Sequence, residues 1–205
     1  MIKNIIFDWS GVIKDCVDDQ IFIVNKIFQE FGATSISLQE FRDNWTQPYM
    51  TFYNKYLPDL TLEQEQLAYK KAIMNQPMAR PYPGISEVIT NLKQMGIKMV
   101  VVSSDFPETL YSEINQFSLK DIFIDIATDA HDKLVAMKDL ISKHNFDKAE
   151  TIVVGDSNHE IEAGKSIGIK TMGVTWGFTN EDKITAANPD FIVRNLDELR
   201  KILNI

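Results

Sequence analysis

The stretch IKNIIFDWSGV, residues 2–12, joins a short apolar run to an acid and then to a turn. The apolar run at residues 2–7 predicts a β-strand that is buried on both faces, as the strands of a parallel sheet are. Asp8 follows this strand directly, and Ser10 stands two residues later. An acid at the end of a strand is either a turn former or a functional group, and other motifs in the chain are needed to distinguish the two.

Similar apolar runs recur along the chain and alternate with helical patterns from residue 84 onward. The further predicted strands are residues 97–102, 122–127, 151–154, 169–174 and 190–193, and the predicted helices include residues 84–96, 133–144 and 157–168. Strand and helix in strict alternation are typical of a doubly wound α/β fold with a Rossmann-like parallel sheet.

The segment after the first strand breaks this alternation. Residues 17–31 carry apolar side chains at helical spacing, and SLQE and TLEQ match the capping-box pattern of a helix start. We therefore predict an α/β hydrolase core at residues 1–13 and 81–205, with a small all-helical cap inserted at residues 14–80. The proline-rich stretch QPMARPYPG, residues 76–84, is the predicted return hinge. Ligands of open α/β sheets bind beyond the carboxyl ends of the strands, so such an insertion is expected to act as a lid.

Composition limits the classes of partner. The 205 residues suffice for a substantial core, and the net charge of -8 disfavours nucleic acid. The single cysteine allows no internal disulfide and fits a reducing compartment. No apolar segment approaches the roughly 20 residues that a membrane span needs. We expect a cytoplasmic protein without a membrane partner, and nothing in the sequence indicates its oligomeric state.

Polar residues follow several of the predicted strands. They are Asp8, the pair Ser103 and Ser104, Lys133 and Asp156. A parallel sheet brings the carboxyl ends of its strands to one edge, so two acids, hydroxyl groups and an ammonium are expected to meet in one crevice. Carboxylates bind Mg²⁺, and a divalent cation offsets the repulsion between a carboxylate nucleophile and a phosphoryl group. This pattern favours phosphoryl transfer, in which an aspartate attacks and forms an acyl phosphate.

The motifs around these residues resemble those of the haloacid dehalogenase-like hydrolase superfamily. DWSGV, residues 8–12, is similar to its first motif, D-x-D-G-T/V, except at the third residue. MVVVSSD at residues 99–105 is similar to the second motif, and GDSNHE at residues 155–160 to the fourth. The run AGKSIGIKTMGVTWGF, residues 163–178, also looks like the family. The resemblance spans the whole chain and implies a Mg²⁺-dependent hydrolase of small phosphate esters or acyl phosphates.

The resemblance implies a role for each matching residue at the metal and the nucleophile. Asp8 would be the nucleophile and a magnesium ligand. The backbone carbonyl of Ser10 and the carboxylate of Asp156 would complete the protein's ligands. Glu160 occupies the last place of the fourth motif, but Ser157 and Glu160 also form a capping-box pattern, which explains the glutamate without a metal.

The resemblance likewise implies the groups that hold the phosphate. Ser103, with Ser104 beside it, would contact phosphate oxygens, and Lys133 would bridge the nucleophile and the phosphate. Lys138 is the alternative lysine, but Lys133 is favoured because it precedes or opens a helix. Alternatively, Ser103 and Ser104 merely lead into the helix that starts near Pro107, with Asp105 as its N-cap and Glu108 as the capping-box partner.

Ser10 occupies the place where phosphatases of the family carry a general acid, a group worth about 10² to 10⁴ in rate. Three outcomes are open. The first is a phosphatase with altered acid catalysis. The second is a carbon-centred hydrolase, either a dehalogenase that uses Arg42 to bind a substrate carboxylate or a phosphonatase-like enzyme that uses Lys55. The third is a non-catalytic binding module. The residues that match the family's motifs favour the phosphatase, and they are Asp8, Ser103, Lys133 and Asp156.

Overall fold

The computed structural model describes residues 1–46, 48–73 and 79–205. Contacts divide the chain into two compact units, one formed by Met1–Asp15 with Ala79–Ile205 and the other by Cys16–Met78. Within the described ranges, every helix is too short or too polar to cross a bilayer.

The first unit is built on a parallel sheet. Its strands are β1 (Asn4–Phe7), β4 (Lys98–Val102), β5 (Asp125–Ala127), β6 (Thr151–Gly155), β7 (Lys170–Val174) and β8 (Phe191–Val193), while β2 (Lys14–Asp15) and β3 (Arg80–Pro81) form a separate antiparallel pair. The order across the sheet is β5-β4-β1-β6-β7-β8, and every pairing in it is parallel. The predicted doubly wound α/β fold is therefore confirmed.

One predicted strand is much shorter than expected. Only Asp125–Ala127 of the apolar run at residues 122–127 pairs in the sheet. Ile122 and Phe123 instead pack against the core cluster on one face of the sheet. The apolar character of residues 122–124 thus reflects core packing as well as strand formation.

Helices cover both faces of the sheet. The helices of this unit are α5 (Ile85–Gln94), α6 (Pro107–Gln116), α7 (Lys133–Lys143), α8 (Asn158–Ile167), α9 (Glu181–Ala186) and α10 (Leu196–Leu203). Ile5 and Phe7 of β1 pack in the cluster that includes α5, α6 and α10, whereas Ile6 packs in the cluster that includes α7 and α8. Because side chains alternate along a strand, every residue of a centrally placed strand meets a helix layer, which explains why these runs are apolar throughout.

The strand order places a crevice next to β1. The chain runs from β1 to β4 and β5 on one side and then returns to β6 on the other. Phe7 at the end of β1 lies in register with Val101 and Val154. The residues that follow these three strands therefore emerge side by side at a topological switch point, where ligands of such folds bind.

The second unit is helical. Its helices are α1 (Val17–Glu30), α2 (Leu38–Asn44), α3 (Tyr49–Tyr56) and α4 (Leu62–Ile73). Phe28 stacks on Phe52 with ring centroids 6.1 Å apart, and Phe41 meets Phe52 edge to face at 5.5 Å, so an aromatic cluster forms the core of this unit. The SLQE and TLEQ sites both begin helices: Ser37 Oγ accepts from the Glu40 backbone N–H, and Thr61 and Gln64 cap each other.

The ends of the insertion differ slightly from the predicted residues 14–80. Lys14 and Asp15 pair with Pro81 and Arg80 in the β2–β3 ladder, and all four residues belong to the first unit. Arg80 Nε also lies 3.1 Å from Asp15 Oδ2. Residues 76–78 of the predicted hinge lie outside the described residues.

Candidate active site

The first group of the site is Asp8, which follows β1. Its backbone N–H donates to the Val154 carbonyl at 2.9 Å, which extends the pairing with β6 by one residue. The Trp9 N–H donates to Asp8 Oδ1 at 2.7 Å, and the left-handed Gly11 (φ 83°) turns the chain away from the sheet. The side chain is almost fully buried, so β1 and the turn hold this carboxylate in one place.

Lys133 contacts Asp8 from the start of a helix. It is the first residue of α7, whose N-cap Asp132 accepts from the Val135 N–H at 3.1 Å. The Lys133 ammonium lies 2.8 Å from Asp8 Oδ2 and 2.6 Å from Glu160 Oε1. The alternative lysine, Lys138, is exposed midway along α7. The geometry therefore places Lys133 at the site.

Asp156 follows β6 and is held by the loop after β7. The Phe178 N–H donates to Asp156 Oδ2 at 2.6 Å. A Cβ on Gly11 or Gly177 would lie 2.1 Å from that oxygen, so only glycine allows the two backbones to approach so closely. Carboxylate oxygens of Asp8, Asp156 and Glu160 all lie within 4.8 Å of one another.

Glu160 has two partners that account for both of its oxygens. Oε2 accepts from the Ser157 backbone N–H at 3.1 Å and from the Ser157 hydroxyl at 2.6 Å, which completes the capping box of α8. Oε1 accepts from Lys133. The capping-box interpretation therefore holds, and the same side chain also positions the lysine.

The electrostatics of the cluster are unbalanced because three buried carboxylates meet the single ammonium of Lys133. Burial raises the pKa of Asp8 to about 7, with Glu160 adding to the effect and Lys133 opposing it. Burial, followed by the charges of Asp8 and Glu160, raises the pKa of Asp156 well above its usual range. Burial alone would lower the pKa of Lys133, but the two carboxylates that it contacts outweigh burial and raise it.

These properties fit a divalent cation. Oxygen ligands and an excess of buried negative charge are what Mg²⁺ requires, and a cation between Asp8 and Asp156 would offset their repulsion. Glu160 accepts three hydrogen bonds, two from Ser157 and one from Lys133, whereas Asp8 has one partner on each oxygen, so Glu160 is the less suited of the two to ligate. Of the predicted ligands, the carboxylates of Asp8 and Asp156 lie close enough together to share a cation, and the Ser10 carbonyl stays a prediction.

The hydroxyl groups lie in the turn that begins at Asp8 and in the loop after β4. Ser103 is buried directly after β4, and its Oγ accepts from the Asp105 N–H at 3.1 Å, so the Ser103 proton is available to another acceptor. Ser104 is half-buried in the same loop. The Ser10 hydroxyl donates to Asp105 Oδ2 at 2.8 Å.

Two features of the site escaped the sequence analysis. Asp105 is not a helix cap: α6 begins at Pro107 with Phe106 as its N-cap, and the Asp105 side chain faces Ser10 instead. The contact of Gly177 and Phe178 with Asp156 was also missed, although both residues lie in the run that resembles the family. A glycine beside two aromatic residues was the available signal.

Comparison with known proteins agrees with this geometry. A model of the haloacid dehalogenase-like hydrolase family matches residues 5–174. A phosphoglycolate phosphatase of Vibrio parahaemolyticus is 27% identical over 221 aligned residues, which cover 100% of this chain and 97% of that protein. Pyrophosphatase PpaX of Halalkalibacterium halodurans is 27% identical over 213 residues, covering 100% of this chain and 98% of the relative.

Solved structures share the fold. The crystal structure of a predicted phosphatase from Clostridium acetobutylicum matches with a TM-score of 0.81 at 21% identity, over 100% of both chains. The resemblance seen in the motifs is confirmed, and so is the prediction of a hydrolase of this kind. The chain belongs to the haloacid dehalogenase-like hydrolase family.

Proposed function

We propose that this chain is a Mg²⁺-dependent phosphatase that forms an aspartyl phosphate on Asp8. The observation that carries the proposal is the buried contact of Asp8 with Lys133 at 2.8 Å beside the carboxylate of Asp156. A carboxylate held by a lysine next to a second acid supports nucleophilic attack on a phosphoryl group better than it supports a structural role.

Each side chain has a task in this reaction. Asp8 attacks phosphorus while the bond to the leaving oxygen breaks. Lys133 neutralises negative charge on Asp8 and on the phosphoryl oxygens. The Ser103 oxygen accepts from the backbone N–H of Asp105, which leaves its hydroxyl proton to be donated to a phosphoryl oxygen. Preorganised donors of this kind act on the charge that develops in the transition state.

The residues that would hold the metal are Asp8, Asp156 and the backbone carbonyl of Ser10. Bound there, Mg²⁺ would neutralise phosphate charge and allow one anion to approach another. The Phe178 N–H fixes the orientation of Asp156.

The substrate that we propose is a small phosphorylated molecule. Two similar proteins are named for phosphoglycolate and pyrophosphate, which are both of this kind. The net charge of -8 supports a site-built anion pocket and not a nucleic-acid surface. The role of the Cys16–Met78 unit as a cap and the cytoplasmic location stay predictions.

The carbon-centred alternatives have weaker support. Lys55, the residue for a phosphonatase-like mechanism, is exposed, donates to Asn44 and lies 5.8 Å from the ring centroid of Tyr56. Arg42, the residue for a dehalogenase, lies in the last turn of α2. The carboxylates of Asp8 and Asp156 lie close enough to share a metal ion, which favours the metal-dependent phosphatase over both carbon-centred alternatives.

The first test is hydrolysis of p-nitrophenyl phosphate and acetyl phosphate with and without Mg²⁺. Both compounds have good leaving groups, so the absence of an acid at position 10 should matter least with them. We expect Mg²⁺-dependent release from the wild type, none from Asp8→Asn, and unchanged release from Asp139→Asn, a control at an exposed acid of α7. An active Asp8→Asn protein, or a wild type that releases nothing, would contradict the proposal.

A further inference from the structure

Asp105 connects the loops that follow β1 and β4. Its backbone N–H donates to Ser103 Oγ at 3.1 Å, and its carboxylate oxygen Oδ2 accepts from Ser10 Oγ at 2.8 Å. Its carbonyl accepts from the Asp129 N–H at 3.1 Å. Because backbone and side chain are both held, the Asp105 carboxylate has a fixed place beside the residue that replaces the family's general acid.

The direction of the Ser10 hydrogen bond has a chemical consequence. A hydroxyl has one proton, and Ser10 gives it to Asp105. The remaining lone pairs of Ser10 Oγ can then only accept, and the charged acceptor behind the hydroxyl makes the oxygen a better acceptor. A water molecule is the group at a phosphatase site that has a proton to donate and a lone pair to attack with.

We infer that Asp105 is a positioning residue that turns the Ser10 hydroxyl into an acceptor for the water that hydrolyses the phosphorylated Asp8. This inference rests on the proposed function, because it assigns a residue to the second half of that reaction. Ser10 touches the water, and Asp105 acts through Ser10.

The step balances without a further reactant. The water oxygen forms a bond to phosphorus, and the bond between phosphorus and the Asp8 oxygen breaks with its electron pair remaining on the Asp8 carboxylate. One water proton stays on the attacking oxygen and the other passes to an oxygen of the departing phosphate. Ser10 Oγ holds the water during the attack by accepting a hydrogen bond from it.

Other carboxylates near the first turn already have other partners. Glu113 accepts from Trp9 Nε1 at 2.7 Å and pairs with Lys14 at 2.6 Å. Asp15 pairs with Arg80. In the described part of the chain, Asp105 is thus the acid whose carboxylate contacts the Ser10 hydroxyl.

The test measures turnover and the steady-state fraction of phosphorylated protein with ³²P-labelled acetyl phosphate and Mg²⁺. Asp105→Ala is expected to lower kcat about tenfold, the effect of one hydrogen bond to a charged group, and to raise the phosphorylated fraction because only dephosphorylation is slowed. Ser10→Ala should behave in the same way, and the double variant should be no slower than either single one. Asp105→Asn, which keeps an acceptor without the charge, should recover part of the rate.

The readouts separate this role from structural damage and from failure of the proposed function. The backbone N–H that supports Ser103 remains in every variant, and a collapsed loop would lower the phosphorylated fraction instead of raising it. A phosphorylated fraction that stays level or falls in Asp105→Ala, or losses that add fully in the double variant, would overturn the inference while leaving the phosphatase intact. A wild type that neither turns over nor becomes phosphorylated would overturn both.

Discussion

The ammonium of Lys133 lies 2.8 Å from Oδ2 of Asp8, although the two residues are far apart in the sequence. Asp8 ends a strand in the middle of the sheet, and Lys133 opens a helix that packs on one of its faces. The pair depends on the winding of the sheet, because that winding returns the start of α7 to the end of β1.

Replacing Lys133 by methionine should reduce Mg²⁺-dependent hydrolysis of p-nitrophenyl phosphate about 100-fold or more. The variant keeps most of the side-chain volume but leaves Asp8 and Glu160 without their shared cation. Lys138→Met is the matched control because Lys138 is exposed on the same helix. A folded Lys133→Met protein with more than a tenth of the wild-type kcat would show that the lysine does not act in the reaction.

Replacing Ser10 by aspartate should raise turnover of a substrate with a poor leaving group, such as phenyl phosphate, about tenfold. The new side chain, in its protonated carboxyl form, can donate a proton to the leaving oxygen, which a serine hydroxyl cannot do. It would also face Asp105, whose carboxylate now accepts from the Ser10 hydroxyl. Two adjacent carboxyl groups disfavour full ionisation and so keep a proton available for the leaving oxygen, which means that the Ser10→Asp, Asp105→Asn double variant should gain less than Ser10→Asp alone.

Ser142→Asp, at an exposed serine of α7, is the control for added charge. No gain with phenyl phosphate in either variant would mean that the absent acid does not limit this enzyme. Equal gains with phenyl phosphate and p-nitrophenyl phosphate would exclude leaving-group protonation as the cause.

The sequence alone predicts where the main site residues lie, because two simple rules suffice. Buried parallel strands are recognisable from runs such as residues 151–154, and their carboxyl ends meet at one edge. Asp8 and Asp156 directly follow such ends, Lys133 opens the helix after the next strand end, and the structure brings the three side chains together.

The contact of Asp105 with Ser10 could not be predicted from the sequence, and the reason is physical. An acid shortly before a proline at a helix start satisfies the local pattern of an N-cap, whereas the observed partner, Ser10, is 95 residues away. The choice between a local and a distant partner depends on how two loops meet, which no local pattern contains. The hydrogen bond from the Phe178 N–H to Asp156 is likewise a tertiary contact, between the segments that follow β7 and β6.

Asp156→Asn should abolish stabilisation by Mg²⁺ without destabilising the metal-free protein. The pKa of Asp156 is raised because burial and the neighbouring carboxylates disfavour its charge, so the neutral amide removes an unfavourable interaction while the Phe178 N–H keeps an oxygen acceptor. The measurement is the thermal midpoint with EDTA and with Mg²⁺. The wild type should melt higher with Mg²⁺, since a ligand of the folded state adds to stability, and the variant should not.

Asp139→Asn should respond to Mg²⁺ as the wild type does, because Asp139 is exposed. If Asp156→Asn retains the full Mg²⁺-dependent shift of the midpoint, the ion binds elsewhere. A large loss of stability in EDTA would show that the Asp156 charge is needed by the metal-free fold.

The helical unit should lose stability as the pH rises from about 4.5 to about 7 because of Glu65. This glutamate is buried in α4, and burial raises its pKa from 4.5 to about 7, with the nearby Tyr53 hydroxyl opposing the shift without forming a well-aligned hydrogen bond. At low pH both folded and unfolded forms hold the proton. Between the unfolded-state pKa of 4.5 and the folded-state pKa of about 7, the unfolded form loses the proton and the folded form keeps it, so stability falls as the pH rises. Above both pKa values the folded form carries a buried charge.

Glu65→Gln should therefore unfold at higher denaturant concentration than the wild type at pH 8 and at a similar concentration at pH 4.5. We expect a difference of about 1–2 kcal/mol at pH 8, less than the full pKa shift implies because water screens part of the charge. Urea unfolding followed by circular dichroism measures it, with Glu63→Gln as the control on the exposed face of α4. A difference between Glu65→Gln and wild type that does not grow from pH 4.5 to pH 8 would contradict the raised pKa, since only ionisation of Glu65 separates the two proteins in that range.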